Sequence, residues 1–310
     1  MTQQQPKISI IIPCHNEEGN IEFLYSKLKQ SIIAFPSHEI IFVDDGSTDK
    51  TILKIRLIAS KDAFVKYISF STNFGHQNAL KAGLDYSSGD CAISMDADMQ
   101  HPPELIPLLI EKWKEGFEVV YTIRKEEENI PFFKKVTSTL FYKLAGKFSE
   151  TKIYPGAADF RLLDKKVVDE IKKLKENFLF FRGLVNWMGF SQFPIEFKAE
   201  VRYSGKTKYS FKRMFKFALS GITSFSTKPL QISTIIGSII ALCAFIYGIY
   251  AISIALFTYN VVPGWTSMLA SVLFIGGLQL IMIGILGEYI GKLFIENKRR
   301  PNYIIREKNF

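Results

Sequence analysis

The sequence predicts an α/β domain with a mainly parallel sheet flanked by helices, followed by amphipathic interface helices and a two-helix transmembrane hairpin. Three observations support this prediction. Short apolar runs alternate with helix-period segments, acidic residues follow several of these runs, and a long uncharged stretch lies near the end. The 47% hydrophobic residues and mean hydropathy of +0.10 exclude a disordered chain.

The first third of the chain alternates between strand and helix patterns. Apolar runs rich in β-branched residues predict strands at 8–12, 40–43, 65–70, 91–95 and 119–123, and amphipathic segments predict helices at 17–33, 48–59, 77–86 and 103–114. A βαβ series of this kind forms a parallel sheet, and ligands bind where its strands end. Those ends are polar here, at 13–17, 44–47, 73–76 and 96–98, so we expect a cleft.

Residues 229–287 are 59 consecutive residues without a charge. As one helix they would be about 88 Å long, roughly three times the hydrocarbon thickness of a bilayer. Asn260, Pro263 and Gly264 interrupt the stretch, which predicts two spans at about 229–258 and 265–286. Basic residues flank both outer ends, so we expect both termini in the cytoplasm.

Two further segments have the composition of helices that lie in a membrane surface. Residues 132–148 place apolar side chains near one face and lysines on the remainder, and residues 201–228 carry seven basic residues and no acid. The alternative for 132–148 is a helix packed on the sheet. The predicted domains are the sheet domain (1–200, which includes 132–148), the basic juxtamembrane segment (201–228), the hairpin (229–291) and a basic tail (292–310).

Acidic residues dominate the predicted cleft. Asp96 and Asp98 follow an apolar strand, and Gln100 comes two residues later, so two carboxylates and an amide oxygen can approach one Mg²⁺ or Mn²⁺ ion. Such an ion keeps positions open for the phosphate oxygens of a diphosphate. The alternative is that these aspartates only form turns and helix caps.

A second acidic pair, Asp44 and Asp45, ends another strand. Carboxylates in this position can accept hydrogen bonds from a nucleoside base or ribose. A turn with a helix N-cap at Ser47 or Thr48 is an alternative that is compatible with nucleoside binding. No G-x-G-x-x-G follows the first strand, which argues against a dinucleotide fold of that kind.

Five motifs in this order resemble the signature of GT-A nucleotide-sugar transferases that act on polyprenyl phosphates, a family that includes bactoprenol glucosyltransferases and dolichol-phosphate mannose synthase. The motifs are IIPCHNEE (11–18), VDDGSTD (43–49), NFG (73–75), DADMQHP (96–102) and RYSGKTKY (202–209). The resemblance implies a GT-A-like cytoplasmic domain over 1–200, and the two-span tail resembles the bacterial glucosyltransferase type, which implies a bacterial inner membrane.

The resemblance also implies roles for individual residues. Those implied to bind the nucleotide are Pro13, Asn16, Glu17, Asp44, Asp45, Asp96, Arg202 and Lys208. Those implied to hold the metal are Asp96, Asp98 and Gln100. Those expected at the reaction centre, besides Asp98, are Arg124 for a phosphate, Lys134 and Ser138 for the lipid phosphate, and Asp159. Lys134 departs from the arginine common in the family, and Asp159 is either an acceptor for sugar hydroxyls or a partner of Arg161.

The expected reaction is the transfer of a hexose onto undecaprenyl or dolichyl phosphate with inversion at the anomeric carbon. The favoured donor is UDP-glucose. GDP-mannose and UDP-linked amino or modified sugars are alternative donors. A non-catalytic nucleotide-binding membrane regulator is the alternative from another class. The resemblance implies a homo-oligomer such as a tetramer, and no nucleic-acid partner is expected.

Overall fold

The computed structural model describes residues 5–125, 156–177, 179–198, 227–257 and 264–310. Its strands are β1 (Ile8–Cys14), β2 (His38–Asp44), β3 (Val65–Phe70), β4 (Cys91–Ser94), β5 (Val119–Arg124), β6 (Ala157–Asp164), β7 (Gln192–Phe197) and β8 (Ile305–Lys308). Its helices are α1 (Ile21–Ser31), α2 (Thr51–Ala59), α3 (His76–Tyr86), α4 (Ile106–Lys114, after a 3₁₀ turn at Pro103–Leu105), α5 (Lys165–Lys173), α6 (Phe181–Trp187), α7 (Lys228–Phe257) and α8 (Trp265–Asn297).

The eight strands form one sheet in the order β7-β5-β6-β4-β1-β2-β3-β8. β1 pairs in parallel with β2 and β4, and β3 pairs in parallel with β2, as predicted from the alternating pattern. β6 and β8 run antiparallel to their neighbours, which makes the sheet mixed. The predicted α/β fold is confirmed, with β6, β7 and β8 as strands that the pattern did not predict.

Every residue of β1 and β2 is buried. A parallel sheet covered by helices on both faces requires near-continuous apolar strands, and ISIIIPC in β1 satisfies this requirement. One core lies on the side of α1 and α4, around Leu24, Phe42 and Ile106. The other face packs against α3, α5 and α6. This double layer holds the carboxyl ends of β1, β2 and β4 at one edge.

A buried carboxylate lies at the opposite edge of the sheet. Glu39 is 1% exposed and accepts hydrogen bonds from Ser9 Oγ (2.6 Å), Ser88 N (2.8 Å) and Lys66 Nζ (2.7 Å). Burial would raise the pKa of Glu39, but these three partners lower it from 4.5 to about 2. The ionised form therefore stabilises the folded protein.

Replacing Glu39 with Gln is expected to lower the free energy of unfolding by up to about 3 kcal/mol at pH 7. Because the folded-state pKa lies below the unfolded one, this contribution is complete above pH 4.5 and is lost as the pH falls toward 2. Denaturant unfolding of the two proteins in detergent at pH 7, 4 and 2.5 should therefore show a difference that shrinks with pH. The exposed Glu22 provides the control, because Glu22→Gln should give no such trend. A constant difference at all three pH values would contradict the assignment.

Two helices, α7 and α8, are long and apolar enough to cross a membrane, with qualifying segments at Leu230–Tyr247 and Phe274–Asn297. They pack against each other where a Cβ on Gly237 would lie 3.6 Å from Cε of Met282. Several predicted segments lie wholly or partly outside the described residues: 259–263 of the predicted break 259–264, all of the interface segment 132–148, and 201–226 of the basic segment 201–228. Lys228, the last residue of the predicted basic segment, begins α7.

The chain returns to the sheet after α8. β8 pairs antiparallel with β3, with Ile68 opposite Lys308 and Ser69 opposite Glu307. Arg56 of α2 forms an ion pair with Glu307, and the ring of Tyr303 stacks on Phe70 at 5.1 Å between centroids. The tail that the sequence described only as basic is therefore an ordered edge of the sheet.

Candidate active site

The loops after β1 and β2 hold each other at the edge of the sheet. Asn16 Oδ1 accepts from Thr48 N (2.8 Å), and Asn16 N donates to Ser47 Oγ (3.0 Å). Glu17 N donates to Thr51 Oγ1 (2.8 Å). Asn16 has φ 55°, a left-handed conformation that asparagine tolerates better than most residues. The polar residues of these two loops thus form one hydrogen-bonded surface, which we call the wall.

The other two predicted nucleotide residues of the first loop lie in the same wall. Pro13 is in β1, in register with Val43 of β2. The Glu17 carboxylate accepts from Asn20 Nδ2 (2.6 Å), at the start of α1. The structure therefore brings Pro13, Asn16 and Glu17 together beside the end of β2.

Asp44 and Asp45 are both buried, and both are engaged within the protein. Asp44 accepts from Ser69 Oγ (2.8 Å) and Ser47 N (3.2 Å). Asp45 accepts from Phe74 N (2.7 Å) and Gly75 N (3.0 Å), and burial raises its pKa above the ordinary value. These bonds build the predicted turn after β2 and fasten it to the loop after β3.

The second acidic pair lies after β4. Asp96 Oδ1 is 2.8 Å from Nε2 of His76, and the main-chain N–H of Asp96 donates to Nδ1 of His101 (3.0 Å). Burial would raise the pKa of Asp96, but the imidazoles of His101 and His76 lower it to about 2. Asp98 Oδ1 accepts from Gln100 N (3.1 Å) across Met99, whose φ is 64°. The strand thus ends in a tight turn that carries an ionised carboxylate.

The ligand set after β4 fits a hard divalent cation. It comprises two carboxylates and one amide within five residues, all oxygen donors of the kind that Mg²⁺ and Mn²⁺ prefer. Asp96 is ionised and its side chain is 35% exposed, so it is accessible from the cleft. Among the described residues, no group of three or more His, Cys, Asp and Glu side chains is placed to hold a metal ion. The predicted ligands Asp96, Asp98 and Gln100 are the oxygen donors that could hold a cation here, with other positions left for water or phosphate.

Asp159 of β6 forms the centre of a charge network beside Asp96. Its carboxylate accepts two hydrogen bonds from Arg182, at 3.0 and 3.1 Å from Nε and Nη2, and lies 3.6 Å from Arg161 Nη2. Burial would raise the pKa of Asp159, but Arg182 and Arg161 hold it well below its usual range. Of the two predicted roles, partner of Arg161 and acceptor for sugar hydroxyls, the structure contains the first, and Arg182 is the closer partner.

Helix α3 joins the two acidic centres. Its first residue, His76, contacts Asp96, and the next, Gln77, accepts from the main-chain N–H of Phe181 (3.1 Å) and approaches Asp159 Oδ2 at 3.5 Å. Asp45, on the other side, holds Phe74 and Gly75, which precede this helix. The start of α3 is therefore a common support for the loops after β1 and β2 and for the Asp96–Asp159 network.

The remaining predicted residues divide into two groups. Arg124 ends β5 with an exposed side chain, and its main-chain N–H donates to Gly156 O (2.9 Å). Lys134, Ser138, Arg202 and Lys208 lie outside the described residues. The described structure thus brings together the predicted acidic residues, and the phosphate-binding roles of Arg124, Lys134, Ser138, Arg202 and Lys208 stay predictions.

The sequence assigned no individual role to His76, Gln77, His101 or Arg182 of this site, although His76 and Arg182 lie in segments expected near the cleft, 73–76 and 178–187. His76 follows the NFG motif directly, so its place at a polar strand end was a usable signal. Arg182 lies 23 residues after Asp159 in an aromatic segment, and no local pattern connects the two. Their contact is a tertiary one, created by packing α6 on the sheet.

Comparison with known proteins adds family information. Residues 9–172 match Glycosyl transferase family 2, and residues 228–293 match the GtrB C-terminal hairpin. The chain is 43% identical to the uncharacterised glycosyltransferase YkcC of Bacillus subtilis, over 96% of this chain and 93% of the relative. It is also 43% identical to the prophage bactoprenol glucosyl transferase homolog of Escherichia coli K12 (97% and 98%) and to the SfII prophage-derived bactoprenol glucosyl transferase of Shigella flexneri (98% of both chains).

Proposed function

The chain belongs to glycosyl transferase family 2 and carries a GtrB C-terminal hairpin, and on this basis we propose that it transfers a sugar from a nucleotide sugar to a membrane polyprenyl phosphate. The donor is UDP-glucose, and the products are a polyprenyl-phosphate glucose and UDP. The observation that carries the proposal is an acidic cleft at the ends of β2 and β4 in a domain attached to two long apolar helices. The bactoprenol glucosyl transferases that align over almost the whole chain support glucose and this class of lipid acceptor.

The acceptor phosphate needs no base to become a nucleophile. A phosphate monoester has a second pKa near ~6, so most of it is a dianion at pH 7. One of its oxygens attacks the anomeric carbon of glucose while the bond from that carbon to the UDP oxygen breaks, and the electron pair leaves with UDP. Displacement in line inverts the anomeric centre, so an α-linked donor gives a β-linked product. The main barrier is the repulsion between two phosphate-bearing groups.

The residues of this chain would lower that barrier in two places. Asp96, Asp98 and Gln100 would hold a Mg²⁺ or Mn²⁺ ion, which supplies positive charge to the leaving diphosphate when it is bound. Asp159 fixes the guanidinium of Arg182 through two hydrogen bonds, which gives the cleft a preorganised cation. The wall built by Asn16, Asp44 and Asp45 would receive the nucleoside.

The other elements of the proposal rest on the resemblance and on charge. Arg124, Lys134 and Ser138 would contact the acceptor side, and Arg202 and Lys208 the donor diphosphate. Basic residues precede α7 and follow α8, so both termini and the cleft would face the cytoplasm of a bacterium. A homo-oligomer is part of the same proposal, to be checked by the mass of the detergent-solubilised protein.

The test is a transfer assay with the full chain purified in detergent. Polyprenyl phosphate, Mg²⁺ or Mn²⁺ and a panel of radiolabelled nucleotide sugars are added, and the label in the organic phase is counted. We expect label from UDP-glucose that disappears on addition of a chelator, and a β-anomeric signal in the NMR spectrum of the product. Label from GDP-mannose alone would overturn glucose as the sugar, and an α-linked product would overturn inversion.

A non-catalytic nucleotide-binding membrane regulator is the competing function. It predicts measurable UDP binding with no label from any donor. The ionised Asp96 argues against it, because a fold that only binds a nucleotide need not keep an ionised carboxylate at the proposed cation site.

A further inference from the structure

We propose that the C-terminal segment (296–310) is a positioning element that fixes the active-site cleft at a set height above the membrane. This inference rests on the proposed function, because it concerns delivery of a lipid-borne phosphate to the cleft. The segment leaves the end of α8 and contacts the sheet domain first at Asn177, in the loop before α6, and then at α3 and β3. Glu296 makes the first contact and Tyr303 anchors the second.

The first contact holds the loop that leads to Arg182. The Glu296 carboxylate accepts from Asn177 N (2.8 Å) and Asn177 Nδ2 (2.9 Å), and Asn302 Nδ2 donates to Glu176 O (2.9 Å). A few residues later α6 begins, and Arg182 in its first turn pairs with Asp159. Glu296, near the end of α8, is thus hydrogen-bonded to the loop that positions Arg182.

The second contact holds the loop that supports the wall. Tyr303 stacks on Phe70, and its hydroxyl donates to Asp85 of α3 (2.8 Å). Ser71 N donates to Ile304 O (2.9 Å), immediately beyond β3. Phe70 in turn packs edge-on against Phe74, whose main-chain N–H binds Asp45. The segment therefore grips the loop after β3 next to the donor side.

Because α8 is one continuous helix, its length sets the distance between the membrane and the contact at Glu296. α8 is continuous over Trp265–Asn297, and its first charged residue is Glu288. Gly287 is the last residue of the uncharged stretch 229–287. Glu296 lies nine residues later, which corresponds to roughly 13 Å of helix. This length carries Glu296 just past the headgroup layer, which is roughly 5–8 Å thick on each side of the bilayer and contains the phosphate of a polyprenyl phosphate. A domain fastened at Glu296 is therefore held next to the layer that contains its acceptor.

The position of the domain should therefore affect the rate of transfer to a membrane-embedded acceptor and not to a water-soluble one. A membrane-embedded acceptor must meet the cleft at a defined height and angle, and small misplacements of reacting groups reduce rates strongly. A water-soluble acceptor diffuses to the cleft from any direction. Loosening the link between α8 and the segment should therefore affect the membrane acceptor and spare the soluble one.

The experiment inserts a flexible Gly-Ser-Gly-Ser-Gly sequence after Lys292, so that both contacts can still form but no longer transmit the position of α8. Transfer is measured with a long-chain polyprenyl phosphate in vesicles and with a short-chain, water-soluble one. We expect kcat/KM for the vesicle acceptor to fall about tenfold or more, with unchanged UDP binding and unchanged transfer to the soluble acceptor. The same insertion after Gly116, in an exposed turn with open space around it, is the matched control.

A point variant tests the same idea without an insertion. Glu296→Ala removes the first contact and should lower vesicle transfer by a smaller factor, whereas Glu170→Ala on the exposed face of α5 should not. Equal loss with both acceptors, or loss of UDP binding, would reduce the segment to a structural role and overturn the inference. Full vesicle transfer by both the insertion and Glu296→Ala would also overturn it. Wild-type protein that transfers to neither acceptor would instead overturn the proposed function.

Discussion

Replacing Asp96 or Asp98 with asparagine is expected to lower kcat for sugar transfer by about a thousandfold or more. Either change removes a negative charge from the proposed cation site while it leaves the shape of the side chain almost unchanged. Asp96 is ionised and lies at the edge of the cleft, so its charge is available to a cation. The measurement is initial-rate transfer from UDP-glucose at saturating Mg²⁺ or Mn²⁺.

The control for this prediction is Asp169→Asn, an equivalent change on the exposed face of α5. It should transfer at the wild-type rate. All three variants should insert into membranes, and Asp96→Asn should also unfold at a lower temperature, because it removes the charge that His101 and His76 stabilise. A variant at Asp96 or Asp98 that transfers sugar at an undiminished rate would refute the proposed role of that residue.

Replacing Gly46 with alanine is expected to weaken UDP binding about a hundredfold and to destabilise the domain by at least about 2 kcal/mol. Gly46 has φ +62°, and a Cβ there would lie 2.4 Å from the main-chain carbonyl carbon of Thr72 and 2.7 Å from Asn73 N. Main-chain atoms cannot give way as the end of a side chain can. The loop after β3 would have to move, and Asp45 would lose its bonds to Phe74 and Gly75.

Titration calorimetry with UDP and thermal unfolding in detergent measure both effects. Gly116→Ala is a matched control, because Gly116 also has a positive φ (+106°) but has no atom within 4 Å of the added Cβ. It should show only the smaller cost of backbone strain and no loss of UDP affinity. Wild-type affinity in Gly46→Ala would mean that the contact between the two loops does not shape the nucleotide site.

The parts of the fold that the sequence predicted are those with strong local patterns. Strands β1 to β5 each contain a short apolar run, because both faces of the sheet are covered, and the helices between them have clear apolar faces. The antiparallel strand β8 escaped prediction because IREK has no apolar run and gains its structure only from the free edge of β3. Its pairing is a property of the folded domain rather than of four residues.

The residues of the site also divide into those that the sequence could predict and those that it could not. Asp44, Asp45, Asp96 and Asp98 were predictable because the carboxyl ends of parallel strands meet at one edge, whatever the loops between them contain. The internal bonding of Asp45 and the pairing of Asp159 with Arg182 were not, since each depends on which loop or helix packs nearby. Sequence patterns thus located the charges, and tertiary packing decided their partners.

The late position of β8 in the chain has a consequence for biogenesis. The outer edge of β3 stays open until the ribosome has made both apolar helices, because the strand that covers it follows them. An uncovered strand edge is a site where other chains can pair and aggregate. A polypeptide that ends before residue 305 would keep this edge exposed. Completion of the sheet therefore requires that the chain has been synthesised through both apolar helices.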